Sequence, residues 1–481
     1  MDVRMLIGGE TVAATGGAVF ERRNPITGQV ASCAPAGAVS DACAAADAAA
    51  AAFPAWAALG PSARRAMLMK AADALDARTP EFIALMAEEI GATAGWAGFN
   101  CFLAANMLRE AAAMTTQVAG EVIPSDHAGT FAMSVRKPAG VVLGVAPWNA
   151  PVILGVRAIA VPLAVGNTVV LKASEICPGV HSLIGQALQD AGLPKGVVNV
   201  VTNAPADAPA IVEALVAHPA VRRVNFTGST KVGRIIGEMA GRHLKPAVLE
   251  LGGKAPMVVL DDADLKEAVN AAAFGAFMNQ GQICMSTERL VVDEAVADRF
   301  VEMFAAKAAS LPAGDPRGGN VVLGAMVSEE AALKVERLIA DAVGKGAKLV
   351  TGGRRDGPIM DACVLDHVKP GMDIYYEESF GPVVSVIRAK GDDALVAIAN
   401  DTEYGLSSAV FSQSINRAMG VAQRIQAGIC HINGSTVADE AQMPFGGVKG
   451  SGYGRFGGRY GVAEFTDVQW LTIETDPHYP F

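Results

Sequence analysis

The chain has 481 residues, 51% hydrophobic and 18% charged, with 39 Lys and Arg against 49 Asp and Glu for a net charge of −10. That composition excludes a disordered or fibrous chain and leaves apolar surface for two or three domains at roughly 100–200 residues each. It also lacks the basic surplus that a nucleic-acid partner requires.

The N-terminus, Met1-Asp-Val-Arg-Met-Leu-Ile-Gly-Gly-Glu10, has neither the basic flank nor the apolar core of a signal peptide. The first third reads as helical. Ser40 before Asp41 and an alanine run predicts an N-cap, Ser62 the cap of a helix over 63–78, and Thr79-Pro80-Glu81 the start of a third. Residues 139–171 are the most apolar stretch. Pro147, Asn149, Pro151, Arg157, Pro162 and Asn167 interrupt it before the ~18 residues a membrane span needs, so it reads as strand, loop and helix of a soluble protein. Apolar runs at 141–145, 168–171, 197–201 and 221–226 alternate with helical segments at 179–191 and 206–217, the pattern of a doubly wound sheet. A second series follows, with strands at 256–260 and 289–292 and helices at 265–278 and 294–309. Residues 130–136 and 468–475 alternate as strands. The fold class is therefore α/β with two domains.

Seven cysteines, odd in number and without a C-x-x-C pair, read as reduced thiols in a cytoplasmic chain, with neither a disulfide framework nor a metal site. Most fit as small buried hydrophobes, but Cys284 follows a Gly281-Gln-Ile turn that can hold its sulfur at the rim of a cleft. Glu250-Leu-Gly-Gly-Lys254 places a carboxylate at a strand end, and thiol plus general base is the minimal kit for making and hydrolysing a thioester. Asn149 in Pro147-Trp-Asn149 supplies a side-chain amide suited to an oxyanion. Phe226-Thr-Gly-Ser-Thr-Lys-Val-Gly233 turns from strand to helix as a pyrophosphate site does, although a plain capped turn reads the same way. Gly452-Tyr-Gly-Arg-Phe-Gly457 matches G-x-G-x-x-G only formally, because no strand leads into it, and reads as a glycine-rich loop.

Taken in order, these motifs resemble the aldehyde dehydrogenase superfamily along the whole chain, together with Lys172-Ala-Ser-Glu175, Glu377-Glu-Ser-Phe-Gly-Pro-Val383, Asn400, Tyr404-Gly-Leu406, Pro444-Phe-Gly-Gly447 and Gly454-Arg455. Alanine at 173 and Phe456 after Arg455 depart from the family's usual residues. The resemblance implies a Rossmann-type NAD domain (1–117 and 138–249), an α/β catalytic domain (250–448) and a β-strand oligomerisation arm (118–137 and 466–481), in a homodimer or homotetramer. It implies Cys284 as nucleophile, Asn149 with the Cys284 amide as oxyanion hole, and Glu250 as base. It implies NAD as the cofactor, contacted by Pro147, Trp148, Lys172, Ser174, Glu175, Thr227, Gly228, Ser229, Gly233, Leu251, Glu378 and Phe380. A carboxylate at 175 favours NAD over NADP. Glu250 also separates the chain from CoA-acylating members, which lack that base, so the expected product is the free acid.

A closer resemblance, to salicylaldehyde dehydrogenases and related aromatic-aldehyde enzymes, rests on Gly91-Ala-Thr-Ala-Gly-Trp-Ala-Gly-Phe-Asn100, Gln282-Ile-Cys-Met-Ser-Thr-Glu-Arg-Leu-Val-Val-Asp-Glu294, His431-Ile-Asn-Gly-Ser-Thr436, Gly452-Tyr-Gly-Arg-Phe456 and the ending Trp470-Leu-Thr-Ile-Glu474 with Tyr479-Pro-Phe481. It implies a small aromatic aldehyde substrate, with Trp96, Arg157, Ile283, Met285 and Phe445 as pocket walls. Arg157 is open between three roles: bonding a ring hydroxyl, bonding a substrate carboxylate as a semialdehyde would offer, or a structural salt bridge. A semialdehyde or aliphatic substrate and a cysteine esterase or acyl-transferase are the alternatives. The latter calls for a histidine paired with the cysteine.

Overall fold

The computed structural model describes residues 1–319, 321–475, 477, 479 and 481, so positions 476, 478 and 480 of the expected arm, Pro480 of the terminal motif included, lie outside the described residues. Five buried parallel strands form the heart of the first sheet, in the spatial order Val198–Val201, Thr168–Lys172, Val141–Val145, Val221–Thr227 and Ala247–Glu250. Their apolar residues face helices on both sides, as fully buried parallel strands require. Their pairing aligns the C-terminal ends: Val145 lies beside Lys172 and Phe226, and Thr227 beside Glu250. The loops that carry Asn149, Glu175, Ser229 and Gly252 therefore leave one common edge, where open α/β sheets bind ligands.

A second, seven-stranded sheet runs Lys348–Thr351, Cys363–Asp366, Val383–Ala389, Thr287–Asp293, Ala255–Val259, Ala409–Phe411, His431–Ile432. Thr466–Glu474 pairs along its length with Thr130–Pro138, which pairs with Glu121–Ile123, giving a separate three-stranded antiparallel arm. No helix among the described residues is long and apolar enough to cross a membrane.

Several local expectations need correction. The first third is not purely helical: Met5–Ile7 extends the first sheet antiparallel to Val198–Val201, Glu10–Val12 pairs antiparallel with Met5–Ile7 at the sheet edge, and Val19–Arg23 pairs with Val30–Pro35. Ser40 lies inside helix Val39–Ala58, whose N-cap is Ala38. Buried Asp41 does the capping, accepting the Ala38 N–H at 2.8 Å and the Thr15 hydroxyl at 2.6 Å. Ser62 is likewise inside its helix, because Pro61 takes the first helical position after Gly60. Thr79 is already helical, since Arg78 both ends Pro61–Ala77 and begins Thr79–Ile90, leaving no extended residue between them. Gly452–Tyr453 is itself a short strand, antiparallel to Ala247–Glu250, so this glycine-rich stretch closes the sheet edge.

Asn167, fully buried, ties the base of the Val141–Val145 strand to the residue that precedes the arm strand: its Oδ1 accepts the Gly140 N–H at 2.9 Å and its Nδ2 donates to the Phe465 carbonyl at 2.8 Å. Asn167→Ala strands both backbone groups away from water. It is expected to destabilise the fold by about 1–3 kcal/mol, read as a lower urea midpoint, and an unchanged midpoint would refute this tie.

Candidate active site

Two cavities meet at Cys284 and Asn149. One, about 730 Å3, is lined by Trp96, Phe99, Ile153, Arg157, Phe274, Met278, Ile283, Met285, Val437, Asp439 and Phe445. The other, about 720 Å3, is lined by Pro147, Trp148, Thr227, Gly228, Ser229, Glu250, Gly252, Glu378 and Phe380. Leu154 borders both. The first is a mostly apolar slot, and the second opens at the strand-end edge of the first sheet.

Cys284 is held there by an unusual turn. Helix Leu265–Phe277 ends, and Asn279, Gln280 and Gly281 follow with φ of 48°, 55° and 69°. Such left-handed backbone costs a non-glycine residue about 1–2 kcal/mol and persists only where the surroundings impose it. Here buried amides do so. Gln280 Nε2 donates to the Ala325 carbonyl at 2.8 Å and its Oε1 accepts the Gly324 N–H at 2.9 Å, while Gln282 Oε1 accepts the Val327 N–H at 2.9 Å. Position 281 tolerates only glycine, since a Cβ would lie 2.1 Å from the Gly381 carbonyl oxygen. The same turn orients Asn149. Its Nδ2 donates to the Gln282 carbonyl at 3.0 Å, and its own carbonyl accepts from Trp96 Nε1 and Asn279 Nδ2, each at 3.0 Å. Among the described residues the Cys284 N–H finds no protein acceptor, so it and the second Nδ2 hydrogen of Asn149 remain available to an oxyanion.

Glu250 ends its strand almost fully buried, and neither of its oxygens has a hydrogen-bond partner among the described residues. Burial pushes its pKa up to about 8, against the pull of the Arg157 charge and the Cys284 thiol. Burial, and then the charge of Glu250, push the thiol well above its ordinary value. The carboxyl is thus poised to take a proton near neutral pH. Glu378 is raised to about 7 by burial and the nearby Glu288, while the Gly253 N–H bonds its Oε1 at 2.8 Å. Lys254 and Glu288 form a buried ion pair. Glu288 also accepts the N–H groups of Ser379, at 2.9 Å, and Phe380, at 3.1 Å, fixing the loop that presents Glu378.

The second cavity fits an adenine dinucleotide. Ser229 caps helix Thr230–Arg242, accepting the Val232 N–H at 3.3 Å, and leaves the positive end of the helix at the cavity, where a pyrophosphate is stabilised. Gly228 lets Phe226 pack beneath it, because a Cβ would meet that ring at 2.4 Å. Trp148 and Phe380 meet edge to face, 5.7 Å between centroids. Lys172 and Glu175 form an ion pair at the neighbouring strand end, and Asn203 Nδ2 bonds Glu175 at 2.9 Å. His181 fixes that loop: burial lowers its pKa to about 3, and its Nδ1 accepts the Ser174 N–H at 2.9 Å.

The structure brings all five expected pocket residues, Trp96, Arg157, Ile283, Met285 and Phe445, to the first cavity. Pro147, Trp148, Thr227, Gly228, Ser229, Glu378 and Phe380 line the second. Gly233 and Leu251 line neither. They pack on each other, with a Cβ at 233 only 2.2 Å from Leu251, so they act beneath the site rather than in it. Arg157 pairs with buried Asp439 and stacks on Phe445, 4.1 Å from the ring centroid. Sequence reasoning missed Phe99, Phe274, Val437, Asp439 and the roles of Asn279 and Glu288. Only Glu288 left a signal, as a charge near the start of a strand whose centre, 290–292, is apolar.

Glu250→Gln tests the buried carboxyl without reference to activity. A carboxyl raised from 4.5 to about 8 on folding costs stability as pH climbs between those values, and the amide does not. The Tm of Glu250→Gln should exceed that of the unsubstituted chain by more at pH 8.5 than at pH 5.5; an equal gap at both pH values contradicts the shift.

The Aldehyde dehydrogenase family model matches residues 12–471. A vanillin dehydrogenase of Pseudomonas fluorescens is 63% identical over 481 residues, 100% of both chains. The crystal structure of a salicylaldehyde dehydrogenase from Pseudomonas putida G7, complexed with salicylaldehyde, superposes with a TM-score of 0.98 at 50% identity over 100% of both chains. That of a betaine aldehyde dehydrogenase from Staphylococcus aureus in complex with NAD+ does so at 0.95 and 29%, covering 99% of this chain and 95% of the other.

Proposed function

From the premise that the chain belongs to the aldehyde dehydrogenase family, as its match over residues 12–471 shows, we propose that it oxidises an aromatic aldehyde to the free carboxylic acid at Cys284, using NAD. The observation that carries this is the junction of an apolar slot and a dinucleotide-shaped cavity at one thiol. The similarity to enzymes named for vanillin and salicylaldehyde supports an aromatic substrate.

In this reading, Glu250 draws the proton from the Cys284 thiol, and the sulfur adds to the aldehyde carbon. Asn149 Nδ2 and the Cys284 N–H bind the oxygen of the resulting thiohemiacetal. The bound nucleotide supplies a hydride acceptor, and the family uses a pyridine nucleotide. Glu250, after passing its first proton to solvent, takes a proton from water, whose oxygen attacks the carbon of the thioester that hydride loss would leave. It hands that proton to the departing sulfur, releasing the acid and restoring the thiol. Trp148, Ser229, Glu378 and Phe380 would hold the nucleotide, and Glu175, held by Lys172 and Asn203, would repel a 2′-phosphate and so favour NAD. Among the described residues no histidine lines either cavity, which leaves the cysteine-hydrolase alternative without its base. We place the chain in the cytoplasm on its reduced thiols.

Benzaldehyde plus NAD should yield absorbance at the NADH band. Cys284→Ala is expected to abolish it by about 10³-fold or more. Glu250→Gln should release one equivalent of NADH per site and then turn over about 10²–10⁴-fold more slowly. No NADH from the unsubstituted chain with a broad aldehyde panel would overturn the proposal.

The arm exposes Val122, Val468, Trp470 and Ile473, an apolar patch suited to a second copy in a homodimer or homotetramer. Light scattering behind size exclusion should give a dimer or larger and Trp470→Asp a smaller species, whereas a monomeric unsubstituted chain would contradict the assignment.

A further inference from the structure

The slot that ends at Cys284 is apolar along most of its wall, with Trp96, Phe274, Ile283, Met285 and Val437 among its residues. One place on that wall is charged. Arg157 and Asp439 both line it, with side chains only 5% and 8% exposed, and they pair with each other. The helix carrying Arg157, Pro151–Ala164, is otherwise apolar, and Phe445 covers one face of the guanidinium. Asp439 is the one acceptor that the Arg157 N–H groups find among the described residues, and Asp439 Oδ1 finds no hydrogen-bond partner among them. A buried pair with unused donors and an unused acceptor is costly in an apolar wall, and the neighbouring groups do not use that capacity.

The pair is also neutral as a unit. An unpaired arginine in this place would bind a substrate carboxylate, but here Asp439 cancels its charge, and Glu250 adds a second carboxyl across the junction at Cys284. A neutral hydroxyl suits such a dipole, donating its hydrogen to the carboxylate while its oxygen accepts from the guanidinium.

We infer that Asp439, together with Arg157, determines specificity by reading a hydroxyl on the aromatic ring and by turning away aldehydes that carry a carboxylate there. This deepens the aromatic-aldehyde reading and rests on it. Of the three roles open to Arg157 from sequence, the salt bridge is present, and the inference adds the ring hydroxyl to it and removes the semialdehyde.

The test compares kcat/KM, read as NADH, for benzaldehyde, the three monohydroxybenzaldehydes and 4-carboxybenzaldehyde. The unsubstituted chain should prefer at least one hydroxybenzaldehyde to benzaldehyde by about tenfold or more and use 4-carboxybenzaldehyde least. Asp439→Asn, which leaves Arg157 charged, should raise 4-carboxybenzaldehyde relative to benzaldehyde by about tenfold. The double variant Arg157→Leu/Asp439→Leu removes both charges and so avoids an unpaired one; its hydroxyl preference should vanish. Ratios unchanged in the double variant overturn the inference while leaving aldehyde oxidation standing. If the unsubstituted chain made no NADH from any aldehyde, the aldehyde-oxidation reading would fail. Calorimetric titration with 4-hydroxybenzaldehyde, its two isomers and benzaldehyde would then decide the hydroxyl reading, and equal affinities would overturn it.

Discussion

The left-handed turn Asn279-Gln280-Gly281 is the constraint on which the site depends. It reverses the chain at the end of a buried helix and aims Cys284 into the junction of two cavities. Left-handed asparagine and glutamine are unfavourable on their own, so the conformation persists because Gln280 and Gln282 saturate backbone groups of the 324–327 segment. The same turn sets the position of Asn149 through the Gln282 carbonyl and Asn279 Nδ2. One strained turn thus places both the thiol and the amide that faces it.

Around that turn the molecule stores charge in places that oppose it. Glu250 and Glu378 are both buried and both raised in pKa, and Glu288 beside them pairs with Lys254. Burial makes a carboxyl a better base, and it also makes the fold less stable as pH rises. A site with a proton-accepting group inside an apolar wall is therefore less stable than its amide variant, and the surrounding parallel sheet supplies the rigidity that holds it. The pair Arg157–Asp439 follows the same logic: two charges are tolerated in the slot because each neutralises the other.

Much of this was legible in the chain. Uninterrupted apolar runs such as 141–145 and 221–226 mark buried parallel strands because no face of them meets water. The helix Glu294–Ala309 matches its expected bounds because an acid-rich start and steady amphipathic spacing coincide. The caps failed where a neighbour overrode local preference: Asp41 reaches back to Thr15, and Arg78 joins two helices with nothing between. The short strands before residue 36 escaped because pairing, not pattern, makes them strands. Asp439 was invisible because an acid beside Glu440 reads as surface, and only the fold lays it under Arg157.

The acidic chain of α/β alternation determined its fold class and singled out the Cys284 thiol and the Glu250 carboxyl as candidates through local motifs, since a glycine turn or a strand end is defined by a few adjacent residues. Tertiary structure alone decided which groups share a cavity, which carboxyl is stripped of partners and which arginine is neutralised. The physical reason is distance along the chain: Asn149, Glu250, Cys284 and Asp439 converge across separate strands and loops, and desolvation and Coulomb forces act only between groups that folding has already brought together.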